Sequence, residues 1–271
     1  MRIGVLHPGA MGAVVASAAN TSAMWASEGR SKETLARADT YGLIDAGSLE
    51  ALVDEVDVVV SVCPPHAALE VAHDVKAAGF DGVYIDANAI APELARKIGA
   101  RFSHFVDGGI VGPPPTTKGT TRLYLSGEDA TSAAALWEDS FLAPIVLEGP
   151  AGSASALKMA YAGWTKGSTA LLLAIRAYAE AEGVSDALVE EWHRSIPDLP
   201  GRLLRTASGT GRKAWRFVGE MEQIAASLES AGLPDGFHTA ARNVYARLSD
   251  LKPVVSAELA DVIGRLLVYE D

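Results

Sequence analysis

An apolar strand, Ile3–Leu6, runs directly into His7-Pro8-Gly9-Ala10-Met11-Gly12, and small residues follow through Ala19. That order brings the backbone N–H groups of Ala10, Met11 and Gly12 to a helix N-terminus, where unpaired donors and the helix dipole favour a phosphate. Gly9 lets the backbone come close to a pyrophosphate, and Gly12 lets the helix pack tightly on the strand; these are two of the glycine roles in a dinucleotide-binding turn. His7 stands where the full G-x-G-x-x-G pattern has its first glycine. Pro8 removes one donor, fixes its own φ and biases His7 toward an extended backbone. An ordinary strand-to-helix turn can carry the same glycines, so the surroundings must decide.

Three further groups belong with this turn. Ser27, Arg30 and Ser31 lie 18 to 22 residues beyond Gly9, where an adenine ribose is expected. A carboxylate there suits the 2′-hydroxyl of NAD, whereas an arginine with hydroxyls suits the 2′-phosphate of NADP. We expect NADP in preference to NAD. Glu28 is the rival contact, and Ser31 also serves as a helix cap. Cys63 and Pro64 close a strand at the carboxyl edge, where doubly wound folds bind ligands. Cys63 reads as a small buried residue rather than a nucleophile, because no cationic partner is evident. His66 either touches the cofactor or begins a helix. Asn88 follows the next strand at the same edge, with a cofactor role and a turn role equally open.

The elements that position these residues alternate through the first 150 positions. Strands are expected at Ile3–Leu6, Ser22–Ala26, Leu43–Ala46, Asp57–Val62, Gly82–Asp86, Phe102–Asp107, Arg122–Ser126 and Pro144–Leu147. Helices fall between them: Gly12–Asn20, one capped by Ser31, Leu49–Glu55 capped by Ser48, His66–Ala78, one starting at Pro92, and Thr131–Phe141. The nearly unbroken apolar run Asp57–Val62 is typical of a strand covered on both faces. Such alternation predicts an α/β fold, a Rossmann-type doubly wound and mostly parallel sheet.

After Gly149-Pro150 the pattern changes. A helix of roughly 30 residues, about 45 Å long, is expected from Ser153 to Glu182. It is followed only by helices: Asp186–His193, Gly201–Leu204, Ala214–Ala231, Gly236–Asp250 and Ser256–Leu267. The expected domains are 1–150, dinucleotide-binding, and 151–271, all-helical.

A chain of 271 residues with 49% hydrophobic and 21% charged residues can bury a substantial core. Its net charge of −11 argues against nucleic acid or an anionic membrane as partner. One cysteine excludes an internal disulfide, and the histidines show no metal-ligand spacing, so no metal is expected. The absence of a leader or a spanning apolar run leads us to expect a cytoplasmic protein.

Three separated segments resemble the β-hydroxyacid dehydrogenases related to 6-phosphogluconate dehydrogenase. His7-Pro-Gly-Ala-Met-Gly12 is similar to that family's G-x-G-x-M-G turn. Asp107-Gly-Gly-Ile-Val-Gly112 stands in the place of its D-A-P-V-S-G-G substrate loop. Gly149-Pro-Ala-Gly-Ser-Ala-Ser-Ala-Leu-Lys158 looks like the segment opening its long interdomain helix. The shorter C-terminal part resembles a branch with a compact helical domain.

The resemblance implies an oxidoreductase that moves hydride between NADP and a small, anionic, hydroxy-acid-like substrate. Lys158 would be the general acid/base at the substrate oxygen, and Gly109, Val111, Gly112, Tyr161 and Ala162 would lie at the substrate. It also implies a homodimer, since the long apolar helix needs cover. Two departures stand out. Val111 replaces the family's serine, and Ala162 replaces its asparagine four residues after Lys158. They raise reduction of a C=N bond as an alternative, and a non-catalytic NADP-binding sensor is the rival outside catalysis. Tyr161 either positions substrate or packs, and Thr165 and Lys166 are weaker candidates. In the helical part His193 and His238 read as ordinary surface or core histidines. Trp192, Trp215 and the run Gly209–Lys213 could wall a pocket. Arg202, Arg205, Arg212 and Lys213 form a basic cluster suited to an anion or to ordinary ion pairs.

Overall fold

A computed structural model describes residues 1–251 and 257–268. The first part alternates as expected: β1 (Ile3–Leu6), α1 (Ala10–Ser17), β2 (Ala23–Trp25), α2 (Lys32–Thr40), β3 (Ile44–Asp45), α3 (Leu49–Glu55), β4 (Val58–Ser61), α4 (Ala68–Ala77), β5 (Val83–Asp86), α5 (Pro92–Gly99), β6 (His104–Val111), β7 (Thr121–Ser126), α6 (Ala130–Ala134) and β8 (Leu142–Val146). Ser31 and Ser48 cap α2 and α3, accepting from the N–H groups of Thr34 and Ala51, and Pro92 opens α5.

The strands form one sheet in the order β3-β2-β1-β4-β5-β6-β7-β8. Every pairing is parallel except β6 with β7. Residues 112–120, which join those two strands, are too few for a crossover helix, so the chain must turn back antiparallel. Both faces are covered. Val58 and Val60 of β4 join the cluster with Val15, Trp25 and Trp137, while Val59 joins Leu52, Val71, Tyr84 and Phe105 on the other side. That two-sided burial is why β4 reads as an unbroken apolar run. The order reverses between β1 and β4, so a crevice is expected at their carboxyl ends.

The helix expected over Thr131–Phe141 is shorter. It ends at Ala134 and passes into a 3₁₀ turn, Ala135–Trp137. The buried Trp137 ring donates its Nε1–H to the carbonyl of Val15 at 2.9 Å, and Asp139 then takes a left-handed φ of 60°.

The second part comprises α7 (Ser153–Ala181), α8 (Ser185–Ser195), α9 (Leu199–Thr210), α10 (Ala214–Ser230), α11 (Gly236–Arg247) and α12 (Leu259–Leu267). α9 is longer than the expected Gly201–Leu204, because Pro200 sits within its first turn, where a missing N–H is harmless. Ser256, expected to open the last helix, lies outside the described residues, as does the side chain of Arg212. By internal contacts the chain divides into Met1–Met159 and Ala160–Asp271, a boundary inside α7.

Candidate functional site

The first unit gathers chemistry at the carboxyl edge of β1, β4, β5 and β6. At β1 the turn is tighter than expected. His7 has φ 59°, so the extended backbone expected before Pro8 is wrong. The reason lies one turn further on. The N–H of Gly9 donates to the carbonyl of His7 at 2.6 Å, and a Cβ on Gly12 would stand 2.8 Å from that same oxygen. The close strand-to-helix approach that Gly12 permits therefore places His7 in the left-handed region, which histidine enters more readily than most side chains.

Gly9 is the N-cap of α1 and brings no side chain to its first-turn N–H groups. A Cβ there would meet only the His7 carbonyl, at 3.8 Å, so the space above it is open. Ala10, Met11 and Gly12 form the first turn, as a phosphate-binding helix start requires.

Ser27, Glu28, Gly29 and Arg30 make the turn after β2. Arg30 N–H donates to the Ser27 carbonyl at 3.0 Å, and Gly29 supplies the positive φ of 70°. Ser27 hydrogen-bonds to Asp45, and Ser31 is committed to its cap. Arg30 differs: its buried Nε has no hydrogen-bond partner among the described residues. His7 Nδ1 is in the same position, and burial, reinforced by the Arg30 charge, holds the imidazole down at about 4. A second arginine reaches the turn. Arg37, on α2, donates from Nη1 to the Pro8 carbonyl at 3.3 Å. Nothing in the spacing marks it, since only the fold brings α2 over the turn. The open Gly9, the uncapped helix start and the unpartnered Arg30 Nε fit an anionic dinucleotide.

At β4 and β5 a buried network replaces the open choices. Asn88 accepts from the Cys63 N–H at 2.6 Å and donates from Nδ2 to the Ser61 hydroxyl at 3.1 Å. Its own N–H goes to Asp86 Oδ1 at 3.0 Å. The Asn88 side chain thus shapes the turn. Burial first, then the Asp86 charge, pushes the Cys63 thiol up to about 12, which favours the neutral thiol. Asp86 is fully buried, and that burial raises its carboxyl to about 7. Pro64 and His66 are exposed at this edge.

At β6 the segment Asp107–Val111, expected as a loop, is strand, hydrogen-bonded to β5 on one side and β7 on the other. Gly109 is the point where α7 crosses it: a Cβ there would lie 2.7 Å from the Ala154 carbonyl and 3.2 Å from Lys158 Cβ. Gly112 ends the strand at φ 128°, with no room for a side chain beside the Thr120 carbonyl. Val111 is 2% exposed.

Asp107, wholly buried, anchors the start of α7. Its Oδ2 accepts from the N–H groups of Gly152 and Ser155 and from the Ser126 hydroxyl, each at 2.9 Å. Its Oδ1 accepts from the Ser155 hydroxyl. A carboxylate at a helix N-terminus is favoured by donors and dipole together. One turn on, Lys158 Nζ donates to the Ile110 carbonyl at 2.8 Å, which holds the amine at the end of β6. Ser126 and Ser155 were not singled out in the sequence. The register of β6 and β7 sets Ser126 opposite Asp107, and Ser155 reaches it only through the start of α7.

Tyr161 and Ala162 follow on α7 in the second unit, one exposed and one buried. There Lys166 pairs with Glu220 and stacks over Phe217, 4.6 Å from the ring centre, and Arg202 bonds to the Ser168 hydroxyl. His238 Nε2 lies 3.1 Å from the Gly163 carbonyl. Trp192 is buried, while His193, Arg205, Lys213 and Trp215 are exposed. Among the described residues no group of His, Cys, Asp and Glu is arranged to hold a metal, and no helix is long and apolar enough to cross a membrane.

The fold described above is similar to that of the 3-hydroxyacid dehydrogenases, an oxidoreductase scaffold. Residues 179–248 match a domain of unknown function, DUF1932. An uncharacterized 28.5 kDa protein of Methanothermus fervidus, encoded in the 7S RNA 5′ region, is 33% identical over 168 residues. That match covers 60% of this chain and 64% of the relative, just under two thirds of its length. Among solved structures, the conserved protein MTH1747, described as structurally similar to 3-hydroxyacid dehydrogenases, is 27% identical with a TM-score of 0.69, over 93% of this chain and 98% of that one. The 3-hydroxyisobutyrate dehydrogenase of Mycobacterium tuberculosis, solved with L-serine, shares the fold at 16% identity and TM-score 0.69, over 98% and 99% of the two chains. A reductive aminase from Aspergillus terreus, solved with NADPH4, cyclohexanone and allyl amine, shares it at 18% identity and TM-score 0.56, over 98% of each chain.

Proposed function

We propose that this chain is an NADP-dependent oxidoreductase acting on a small, anionic, hydroxy-acid-like substrate, with Lys158 as general acid/base. The observation that carries the reading is the Lys158 amine bonded to the Ile110 carbonyl at 2.8 Å, at the same sheet edge as the open phosphate turn. When bound, the nicotinamide supplies or accepts a hydride. The chain's own part is to place a proton: Lys158 Nζ gives it to the substrate oxygen during reduction and takes it back during oxidation. Ala10, Met11 and Gly12 offer N–H groups to the diphosphate, and Arg30 offers its guanidinium to the ribose phosphate. The Asn88 network holds Cys63 and Pro64 in shape beside the nicotinamide ribose. NADP is preferred to NAD because Arg30 has an unpartnered donor while Glu28 points no carboxylate into the interior, being exposed.

Reduction of a C=N bond is the second reading. Neither Val111 nor Ala162, both buried, presents the hydroxyl or amide expected at a hydroxy-acid carboxylate, and a reductive aminase is among the similar folds. A panel of keto acids and cyclic imines, assayed with NADPH, separates the two. Turnover of neither class by a protein that binds NADPH would leave a cofactor-binding sensor.

We also propose a cytoplasmic homodimer. Tyr161, Trp164, Leu171, Ile175 and Tyr178 are exposed on α7 and, with Ser168, recur at alternating intervals of three and four. That is the seam spacing of paired helices, about 25 Å long.

A further inference from the structure

We propose that His7 is a phosphate-binding residue: its imidazole, standing where a glycine completes the dinucleotide turn, meets the diphosphate and takes a proton from solvent as the cofactor binds. This rests on the dinucleotide reading above and adds a contact that glycine at this position lacks.

Three observations converge on it. The backbone of His7 is held at φ 59°, a conformation that glycine adopts without cost and histidine does not. Its Nδ1 is buried and has no hydrogen-bond partner among the described residues, an expensive state for a ring nitrogen. Arg30 Nε, whose charge acts on the same imidazole, is also buried and unpartnered. Two such atoms, coupled through the Arg30 charge, describe a place prepared for an acceptor-rich ligand, on a chain whose net charge is otherwise −11.

The charge acting on the imidazole sets the direction of the proton. It comes from Arg30, in the loop after β2; Arg37, on α2, is held on the Pro8 carbonyl. Arg30 also acts on Cys63, which is kept as a thiol by burial and by Asp86, itself raised to about 7. With partial burial the larger cause and the Arg30 charge the second, His7 is neutral down to about pH 4. A diphosphate introduces negative charge beside the ring and offsets Arg30, so the ring's affinity for a proton rises toward the ordinary 6.5. Binding and protonation are then linked, and acidification between those limits strengthens binding.

The test is calorimetric titration of the whole chain with NAD⁺ and with NADP⁺ at pH 6, each in two buffers of different ionisation enthalpy. The 2′-phosphate of NADP⁺ itself titrates near pH 6, so His7→Asn, which tolerates the same φ and cannot titrate, is run alongside. His7→Gly serves if the asparagine variant does not fold. The expected result is up to about one more proton taken up by the wild type than by the variant. Relative to the variant, wild-type affinity is expected to be about tenfold greater at pH 5.5 than at pH 8, if the bound ring returns to its ordinary range. Equal proton counts and parallel pH profiles, with binding retained, would overturn the assignment of His7 alone. Failure of the wild type to bind either dinucleotide would overturn the dinucleotide reading and this inference with it.

Discussion

Lys158 and Ile110 are 48 positions apart, yet the Nζ of one donates to the carbonyl of the other at 2.8 Å. Gly109, where a Cβ would stand 3.2 Å from Lys158 Cβ, lets α7 lie against β6. Lys158→Met should therefore bind NADPH as the wild type does while turnover falls at least ~100-fold, the usual scale for a general acid/base. Turnover within a few-fold of wild type would remove the lysine from the mechanism. Gly109→Ala should act from the other side, pressing a methyl toward the Ala154 carbonyl and costing about 1–3 kcal/mol, read by chemical denaturation.

The anchor of α7 is as exposed to test. Asp107→Ala leaves the N–H groups of Gly152 and Ser155 and the hydroxyls of Ser126 and Ser155 without their shared acceptor. A loss of about 3 kcal/mol in unfolding free energy is expected, with a further drop in turnover because Lys158 loses its platform. A stability change below about 1 kcal/mol would show that the carboxylate is incidental to the helix.

Two buried groups make opposing contributions to the pH dependence of stability. Asp86 has its folded value raised from 3.8 to about 7, so the native state holds a proton that the unfolded chain has lost. Stability from this group falls as pH rises through that window, by on the order of 4 kcal/mol in full. His7 is lowered from 6.5 to about 4, so the unfolded chain holds the extra proton. Its contribution is lost as pH falls from 6.5 toward 4, and is smaller because the ring is partly exposed. The two slopes oppose each other in the wild type. Urea unfolding from pH 4.5 to 7 should show stability rising with pH in Asp86→Asn and falling more steeply than wild type in His7→Asn. Identical profiles for all three proteins would mean that neither group titrates as its burial demands.

The exposed seam on α7 yields a mass measurement. Leu171→Arg with Ile175→Arg places two charges on it, and the variant should elute as a monomer at concentrations where the wild type is a dimer. A monomeric wild type would leave the seam uncovered and the dimer unsupported.

What could be read from the sequence was local or periodic. The caps Ser31 and Ser48, Pro92 at a helix start and the two-sided burial of β4 follow from rules that act within a few residues. The same holds for Gly12, whose packing role is visible from its place in the turn. Hidden features depend on chain segments that meet only after folding. The φ of His7 is set by the approach of α1, against the local bias from Pro8. Asp86 looks like any acid after an apolar run until both faces of the sheet are covered. Arg37 reaches Pro8 only because α2 crosses the turn, and β6 is longer than its apolar pattern because β7 pairs with it. Asp107 stood in a recognisable segment, yet its role as the cap of α7 needed Ser126 and Ser155 brought from 19 and 48 positions away.

The proposed NADP site joins the turn at Gly9 to the guanidinium of Arg30. Titration of the protein with NADPH and with NADH checks it, following energy transfer from the five tryptophans to the reduced nicotinamide, with Arg30→Ala alongside. The expected result is tighter binding of NADPH by about tenfold, or 1.4 kcal/mol, with that margin lost in the variant. Binding of neither nucleotide below millimolar concentration would contradict the claim.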